Sequence, residues 1–284
     1  MVFVVVPTYL EYYSTKCYNH FMKVGFLGAG LYGEALGHLA EINEHEVKYY
    51  DPYRFPERKI EEVISGAEVV VYVAPAEAHK EILPELAPET PLILASKGFV
   101  SLRPFERFEQ FSALGGAAFA EDIMQGEERK LTASSEISEQ LFTTDFLTVE
   151  HTDDTKGIML CGALKNVYAI GAGLMMTQEN YKDFFYYVHD EMRAILEANG
   201  CDPDIMKLSC GLLDLMISCS PSGRNFRFGE EIKLHPGSLV EPAGTVEGLT
   251  VIKSLEDYPE FVVPKEVDME IFKKTLREVR RATK

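Results

Sequence analysis

Lys23-Val-Gly-Phe-Leu-Gly-Ala-Gly-Leu-Tyr-Gly33 settles the fold class of this 284-residue chain. Its first five residues are a mostly apolar run with the length of a buried strand, and three glycines follow with the spacing Gly-x-Gly-x-x-Gly. Glycines at a strand-to-helix turn let the backbone approach a pyrophosphate, whose charge the helix N-terminus stabilises. The same spacing also occurs in turns without a ligand. Its place between a strand and a helix therefore favours a dinucleotide site. The predicted helix is marked by apolar residues on one face, at Ala35, Leu36, Leu39 and Ala40.

Strand and helix patterns alternate along the next hundred residues. Such alternation predicts right-handed βαβ units and a doubly wound sheet. One run, 68–74, is apolar from Val69 onward and is typical of a strand buried on both faces. Further strands are predicted at 46–50, 91–95, 111–114, 130–133 and 146–149, with short helices near 59–65 and 78–86.

The character of the sequence changes after Glu150, where helical patterns take over. The predicted fold is therefore α/β, with an N-terminal Rossmann-like doubly wound sheet followed by an all-α C-terminal domain. We predict a dinucleotide-binding domain over 22–150 and a helical substrate-binding domain over 151–284. The predicted helices of the second domain are 153–177, 181–198, 203–218, 244–255 and 267–282.

Residues 1–21 precede a complete nucleotide-binding pattern and match no part of it. Val2–Val6 is apolar, but Pro7 follows at once, so an edge strand built from it would bury little. The extension is either an appended strand or a segment before the true first residue, Met22. We expect a chain that begins at Met22 to fold and to bind NADH like the longer one.

Composition excludes several classes of function. The formal net charge of −17 argues against nucleic acid as a partner, because phosphate contacts need a basic surface. The five cysteines form no Cys-x-x-Cys pair and no His-Glu-x-x-His pattern occurs, so we expect neither a disulfide framework nor a metal. The run at 2–6 is too short for a signal peptide, and we expect no membrane span. We therefore predict a soluble cytoplasmic protein with free thiols.

Asp51 ends the second predicted strand, where an acidic residue accepts hydrogen bonds from both ribose hydroxyls and repels a 2′-phosphate. An Asp-Pro pair is also a common start of a turn, which needs no ligand. The carboxylate favours NAD as the cofactor, with NADP as the alternative.

Seven segments, taken together and in this order, resemble the NAD(P)-dependent glycerol-3-phosphate dehydrogenases over roughly residues 22–284. The most specific are the Gly-Ala-Leu-Lys-Asn and Gly-Arg-Asn motifs. The segments are Gly28-Ala-Gly-Leu-Tyr-Gly33, Ser96-Lys-Gly98, Gly116-Ala-Ala-Phe-Ala-Glu121, Leu160-Cys-Gly-Ala-Leu-Lys-Asn-Val-Tyr-Ala169, Gly211-Leu-Leu-Asp214, Gly223-Arg-Asn-Phe-Arg-Phe-Gly229 and Val246-Glu-Gly248.

The resemblance implies a role for each matching residue. Lys165 would be the general acid/base for the carbinol oxygen, and Asp214 its carboxylate partner. Lys97 would polarise the substrate oxygen or hold the substrate, while Arg224 and Asn225 would clamp its phosphate. Further implied substrate contacts are Gly116, Asn166 and Ser218. Implied cofactor contacts are Gly28, Gly30, Leu31, Tyr32, Gly33, Asp51, Ala120 and Glu247, together with Lys97 and Arg224.

Without the resemblance these residues have ordinary interpretations. A lysine in a helix is usually solvated, Asp214 could pair structurally, and 223–229 could be a surface loop packed by its aromatics. His189-Asp190 falls inside a predicted helix, and we interpret it as structural.

The chain departs from the family in three places. Ala118 replaces a hydroxyl residue, Tyr32 replaces a tryptophan, and 178–188 lacks the usual small residues and arginine. These changes allow weaker substrate binding or a shifted substrate.

The resemblance predicts a homodimeric oxidoreductase that interconverts dihydroxyacetone phosphate and sn-glycerol 3-phosphate by hydride transfer with NAD(P)(H), for phospholipid synthesis or redox balance. One alternative is a ketopantoate or β-hydroxyacid reductase of the same two-domain class, which has less need of the Arg224-Asn225 anion clamp. Another is a catalytically idle NAD-binding sensor, prompted by Ala118 and the altered tract near Asp183. The retention of Lys97, Lys165 and Asp214 argues against that sensor.

Overall fold

The computed structural model describes residues 21–242 and 244–283. The predicted extension lies outside the described residues except for Phe21. Residues 21–153 form the sheet half of the structure, and the residues from 154 on form the helical half. Their division into two domains near Glu150 stays a prediction.

Seven strands form one sheet with the order β2-β1-β3-β4-β5-β6-β7. Neighbouring strands are parallel except β5 and β6, which pair antiparallel through Leu114↔Ala133 and Gly115↔Thr132. The strands are β1 Lys23–Leu27, β2 Glu46–Tyr50, β3 Val69–Tyr72, β4 Leu92–Leu94, β5 Phe111–Gly115, β6 Arg129–Ala133 and β7 Leu147–His151.

A mostly parallel sheet followed by helices confirms the predicted fold class, with one correction. The predicted βαβ units imply parallel neighbours, and the pair of β5 and β6 departs from them. The connection from β5 to β6 holds only the five-residue helix Ala120–Met124, which is too short to cover the sheet and return the chain for a parallel partner.

Helices cover both faces of the sheet. The helices of the sheet half are α1 Leu31–Ile42, α2 Ile60–Ile64, α3 His79–Ile82, α4 Ala120–Met124 and α5 Glu136–Phe142. Instead of the one helix predicted at 78–86, short 3₁₀ turns flank α3, at Ala76–Ala78 and Leu83–Glu85. Pro84 lies in the second turn and has no N–H to continue a helix.

Alternate strand residues enter two apolar clusters, as the two-residue period of a strand requires. Val24 and Phe26 of β1 pack with the apolar face of α1, as the sequence pattern predicted. Val70 and Tyr72 of β3 belong to a second cluster, which continues into the helical half. The two halves therefore share one core.

The helical half is built around α6 Thr155–Met175. This helix is long and apolar enough to cross a membrane by composition, but 83% of the apolar window is buried inside the protein. It is therefore a core helix. The side chain of Asp154 caps it by accepting a 2.7 Å hydrogen bond from the Gly157 N–H. The helices packed around it include α7 Tyr181–Ala198, α8 Asp214–Ser218, α9 Arg224–Leu234, α10 Glu247–Ser254 and α11 Glu270–Ala282.

Two helix predictions were wrong. The helix expected at 203–218 is divided into a 3₁₀ turn Pro203–Lys207, a π-helical turn Ser209–Leu213 and α8. Gly211 breaks the run with ψ −117° and packs so closely that a Cβ there would lie 2.4 Å from the Met206 Cα. Helix α9 was not predicted at all, although it begins directly after Gly223.

Candidate active site

The glycine turn is tight on its inner side and open on its outer side. A Cβ at Gly28 would lie 2.8 Å from the Ala74 nitrogen, and one at Gly33 would lie 2.4 Å from the Gly28 oxygen. A Cβ at Gly30 would meet no atom within 4 Å. Gly30 therefore presents bare backbone toward open space, where a phosphate can approach the start of α1.

Asp51 braces this turn from the end of β2. Its carboxylate accepts hydrogen bonds from the backbone N–H groups of Ala29 and Tyr53, both at 3.0 Å, and of Arg54 at 3.1 Å. The residue is thus a turn cap, and it also lines the neighbouring pocket. Its hydrogen bonding to ribose stays a prediction.

A pocket of about 370 Å³ runs along the carboxyl edge of the sheet. It begins at Asp51 and Tyr53, passes Gly28 and Gly30, and ends at Lys97. Thr245, Glu247 and Thr250 close it from the helical half. In open α/β sheets ligands bind at this edge, so the pocket is the candidate dinucleotide site.

Lys165 and Asp214 form a buried ion pair next to Lys97, the residue at which the pocket ends. Lys165 lies in the middle of α6 and Asp214 begins α8, and their side chains are only 3% and 4% exposed. A buried pair of charges is costly unless each partner satisfies the other. The solvated-lysine interpretation of Lys165 is therefore excluded.

Lys97 lies beside this pair, on the loop after β4. The nearby charge of Lys165, together with burial, lowers the pKa of Lys97 to about 8. Its ammonium lies 5.2 Å from the centre of the Tyr32 ring, a cation–π distance. Burial and the Asp214 carboxylate raise the pKa of the Tyr32 hydroxyl, which stays neutral.

A small cavity of about 10 Å³ lies next to the two lysines. Gly116, Gly162 and Cys210 line it together with Lys97 and Asp214. Because Gly162 has no side chain, α6 leaves room here; the nearest atom to a Cβ would be the Lys97 Cγ at 3.9 Å.

Asn166 and Asn225 are both occupied by protein groups. The Asn225 amide donates to the Asn166 Oδ1 at 2.9 Å, and its oxygen accepts from the Gly248 N–H at 2.9 Å. The Asn166 amide donates to the Gly162 oxygen at 3.0 Å. These bonds join α6, α9 and α10, so both asparagines have a structural task in addition to the predicted substrate contact.

Arg224 is more accessible. It begins α9, its side chain is 54% exposed, and its guanidinium lies 3.3 Å from the Glu247 carboxylate.

The remaining predicted positions are spread around the site. Leu31 is exposed at the start of α1, Ala120 begins α4 and Ser218 ends α8.

Sequence reasoning missed two pairs at this site. Arg54 is paired with Glu34 beside the glycine turn, and Thr250 is hydrogen-bonded to Glu77 across the pocket. Arg54 could have been found, because an arginine near the end of the second strand can accommodate a 2′-phosphate on the ribose. No sequence signal marks the second pair. Within the described residues, no cluster of three His, Cys, Asp or Glu side chains could hold a metal.

The chain is similar to known proteins along most of its length. Residues 154–282 match the family model of the NAD-dependent glycerol-3-phosphate dehydrogenase C-terminus. A glycerol-3-phosphate dehydrogenase (NAD(P)+) from Oceanobacillus iheyensis is 28% identical, over 88% of this chain and 87% of that relative.

Two solved structures share the fold. The glycerol-3-phosphate dehydrogenase of Coxiella burnetii matches with a TM-score of 0.76 at 18% identity, covering 92% of this chain and 97% of that one. The enzyme of the same name from Plasmodium falciparum gives 0.77 at 18% identity, covering 92% and 91%.

Proposed function

We propose that this chain, which belongs to the NAD-dependent glycerol-3-phosphate dehydrogenase family, interconverts dihydroxyacetone phosphate and sn-glycerol 3-phosphate by hydride transfer with a nicotinamide dinucleotide. The observation that carries the proposal is the buried Lys165–Asp214 pair beside Lys97, which itself lines the dinucleotide pocket. The dinucleotide, when bound, supplies the hydride to the carbonyl carbon or takes it from the carbinol carbon.

The protein residues handle the proton and the charge. In the reducing direction the Lys165 ammonium donates a proton to the carbonyl oxygen as the hydride reaches the carbon. In the oxidising direction its amine takes the proton back. Asp214 fixes the position of the Lys165 side chain, and the Lys97 cation stabilises negative charge developing on the same oxygen.

Recognition of the phosphate falls to Arg224. Its guanidinium fork fits two phosphate oxygens, and only an exposed contact with Glu247 has to be exchanged. Asn225 supports this position by fixing the start of α9 to α6 and α10.

We further propose that the product serves phospholipid synthesis or redox balance in the cytoplasm and that the chain acts as a homodimer. The ketopantoate reductase alternative is not favoured, because relatives that match most of this chain are glycerol-3-phosphate dehydrogenases. An idle sensor would have no need of a buried lysine–carboxylate pair.

The test is oxidation of NADH, followed by its absorbance, with dihydroxyacetone phosphate and with ketopantoate, and NADPH alongside. We expect turnover with dihydroxyacetone phosphate alone. Lys165→Ala should lower kcat on the order of a hundredfold or more because the proton donor is removed, while NADH binding is kept because Lys165 does not line the dinucleotide pocket. Lys233→Ala, an exposed lysine on α9, is the matched control. Near-normal turnover of Lys165→Ala would show that the catalytic assignment is wrong, and turnover of ketopantoate would favour the alternative substrate.

A further inference from the structure

Arg54 lies beside the end of the dinucleotide pocket that Asp51 and Tyr53 line. It follows Asp51 in the turn after β2, and one guanidinium nitrogen donates a 2.6 Å hydrogen bond to the Ala29 oxygen in the glycine turn. The same nitrogen lies 2.5 Å from the Glu34 carboxylate, in the first turns of α1. Arg54 thus bridges β2 and α1 beside the carboxylate predicted to meet the ribose.

The charges around this end of the pocket are unbalanced. Asp51 and Glu34 are two carboxylates, and Arg54 is the cation between them. Arg58 lies nearby in sequence, but its guanidinium donates to the Tyr49 oxygen at 2.8 Å and packs on the Phe55 ring. A 2′-phosphate on the ribose would bring further negative charge next to Asp51 and Glu34, where Arg54 is already paired.

We propose that Glu34 determines cofactor choice by occupying Arg54. While Glu34 is paired with the Arg54 guanidinium, the two carboxylates disfavour binding of a 2′-phosphorylated adenine dinucleotide, and NAD is preferred. If Arg54 is released from Glu34, its planar fork can bind the 2′-phosphate instead, since the side chain is 46% exposed. Glu34 is therefore a positioning residue that acts through Arg54.

This assignment differs from one based on Asp51 alone. All three hydrogen bonds observed for Asp51 go to backbone N–H groups, and they keep its carboxylate directed at the glycine turn. Within the Glu34–Arg54 ion pair it is the Arg54 side chain that contacts the backbone of the turn, through the Ala29 oxygen, so replacing the Glu34 carboxylate leaves that contact in place. The inference rests on the proposed function only in requiring a dinucleotide at this pocket.

The experiment measures binding of two adenosine probes to the full chain by calorimetry, so it needs no turnover. The probes are adenosine 2′,5′-bisphosphate and adenosine 5′-monophosphate, which differ only in the 2′-phosphate. Glu34→Gln should strengthen binding of the bisphosphate roughly tenfold, as expected for one or two charge-assisted hydrogen bonds, and change binding of the monophosphate less than about twofold. Glu41→Gln, the same substitution at an exposed position of α1, is the control and should change neither.

A second variant separates release of Arg54 from simple loss of negative charge. Adding Arg54→Met to Glu34→Gln should abolish the gain for the bisphosphate. A gain that persists in the double variant, or none in Glu34→Gln, would overturn the proposal. Failure of both probes to bind the unmodified chain would overturn it together with the dinucleotide site. If the probes behave as expected but dihydroxyacetone phosphate is not reduced, the proposed function fails and the inference stands.

Discussion

At the scale of single residues, the protonation of Lys97 changes at about pH 8. Its pKa of about 8 lies below the ordinary 10.5 because the Lys165 charge and burial both oppose protonation. The side chain is therefore charged below about pH 8 and neutral above it. In the unfolded chain a lysine keeps its proton up to about pH 10.5, so unfolding takes up a proton between these values. The contribution of Lys97 to the free energy of unfolding accordingly rises with pH in this window.

The apparent affinity for dihydroxyacetone phosphate should fall with pH over the same range. As Lys97 loses its charge above pH 8, one cation that attracts the phosphorylated substrate disappears. The ratio of charged to neutral Lys97 falls roughly tenfold per pH unit, so the KM for dihydroxyacetone phosphate should rise several-fold by about pH 9.5. Lys97→Arg, which stays charged throughout this range, should remove the rise even if its kcat is lower. A parallel increase of KM in both proteins would show that another group titrates.

Sequence patterns predicted individual residues unevenly. The resemblance pointed to Lys165 and Asp214, and the structure places them in contact. It could not show that Asn166 and Asn225 are bonded to each other, because their positions in the chain are far apart. Nor could it show that Arg54 pairs with Glu34, because this pairing depends on how β2 and α1 lie around the glycine turn.

At the scale of elements, strands were predicted closely because most of them are short, buried apolar runs between clear breakers. The run at 68–74 contains β3, all four residues of which are buried. Helix predictions were wrong where the hydrophobic periodicity of the sequence does not reveal the backbone geometry. Gly211 interrupts an otherwise helical pattern by packing against Met206. Helix α9 was not predicted, because its charged residues obscure the apolar face that Phe226, Gly229 and Ile232 bury.

The crossing of α6 and α9 is the close contact that positions the phosphate clamp. A Cβ at Gly173 would lie 2.0 Å from the Phe226 oxygen, and one at Gly229 would lie 2.1 Å from the Ile170 oxygen. The two backbones therefore touch, and this contact sets where α9 begins, at Arg224, relative to Lys165.

Gly173→Ala should separate these helices. Because backbone atoms cannot move aside as a flexible side chain can, the cost should be about 1–3 kcal/mol or more, seen as a fall of several degrees in the melting temperature. The KM for dihydroxyacetone phosphate should rise as well, since Arg224 is displaced. Gly162→Ala on the same helix is the stability control, because its Cβ would have ordinary contacts and alanine favours a helix by about 0.5–1 kcal/mol. Equal melting temperatures for the two variants would show that the crossing has room to spare.

At the scale of the whole molecule, the two halves are joined by one core and by polar contacts around the dinucleotide pocket. The Ser101 hydroxyl donates to the Glu260 carboxylate at 2.6 Å, and the Thr250 hydroxyl donates to Glu77 at the same distance. The sequence predicted both halves but not this junction. Its contacts join residues more than 150 positions apart, and no local pattern specifies them. The antiparallel pairing of β5 and β6 was missed for a related reason, since strand patterns do not encode direction.

The Glu77–Thr250 hydrogen bond closes the dinucleotide pocket on one side. Both residues also line a neighbouring cavity of about 760 Å³, so the bond stands between the two spaces. Release of a dinucleotide enclosed by both halves requires contacts of this kind to open, and such opening steps often limit turnover. The bond is exposed, so its contribution should be that of one ordinary hydrogen bond.

Thr250→Val keeps the shape of the side chain but removes the donor, so the pocket should open more readily. We expect NADH to dissociate roughly three- to tenfold faster in stopped-flow fluorescence, which corresponds to a hydrogen bond of about 1 kcal/mol. Thr250→Ser keeps the hydroxyl and should release NADH at nearly the rate of the unmodified protein. Because Glu77 stays in place in both variants, the difference between them isolates the hydrogen bond from the packing of α10. Equal dissociation rates would mean that the two halves are held together by their shared core alone and that this bond does not gate the pocket.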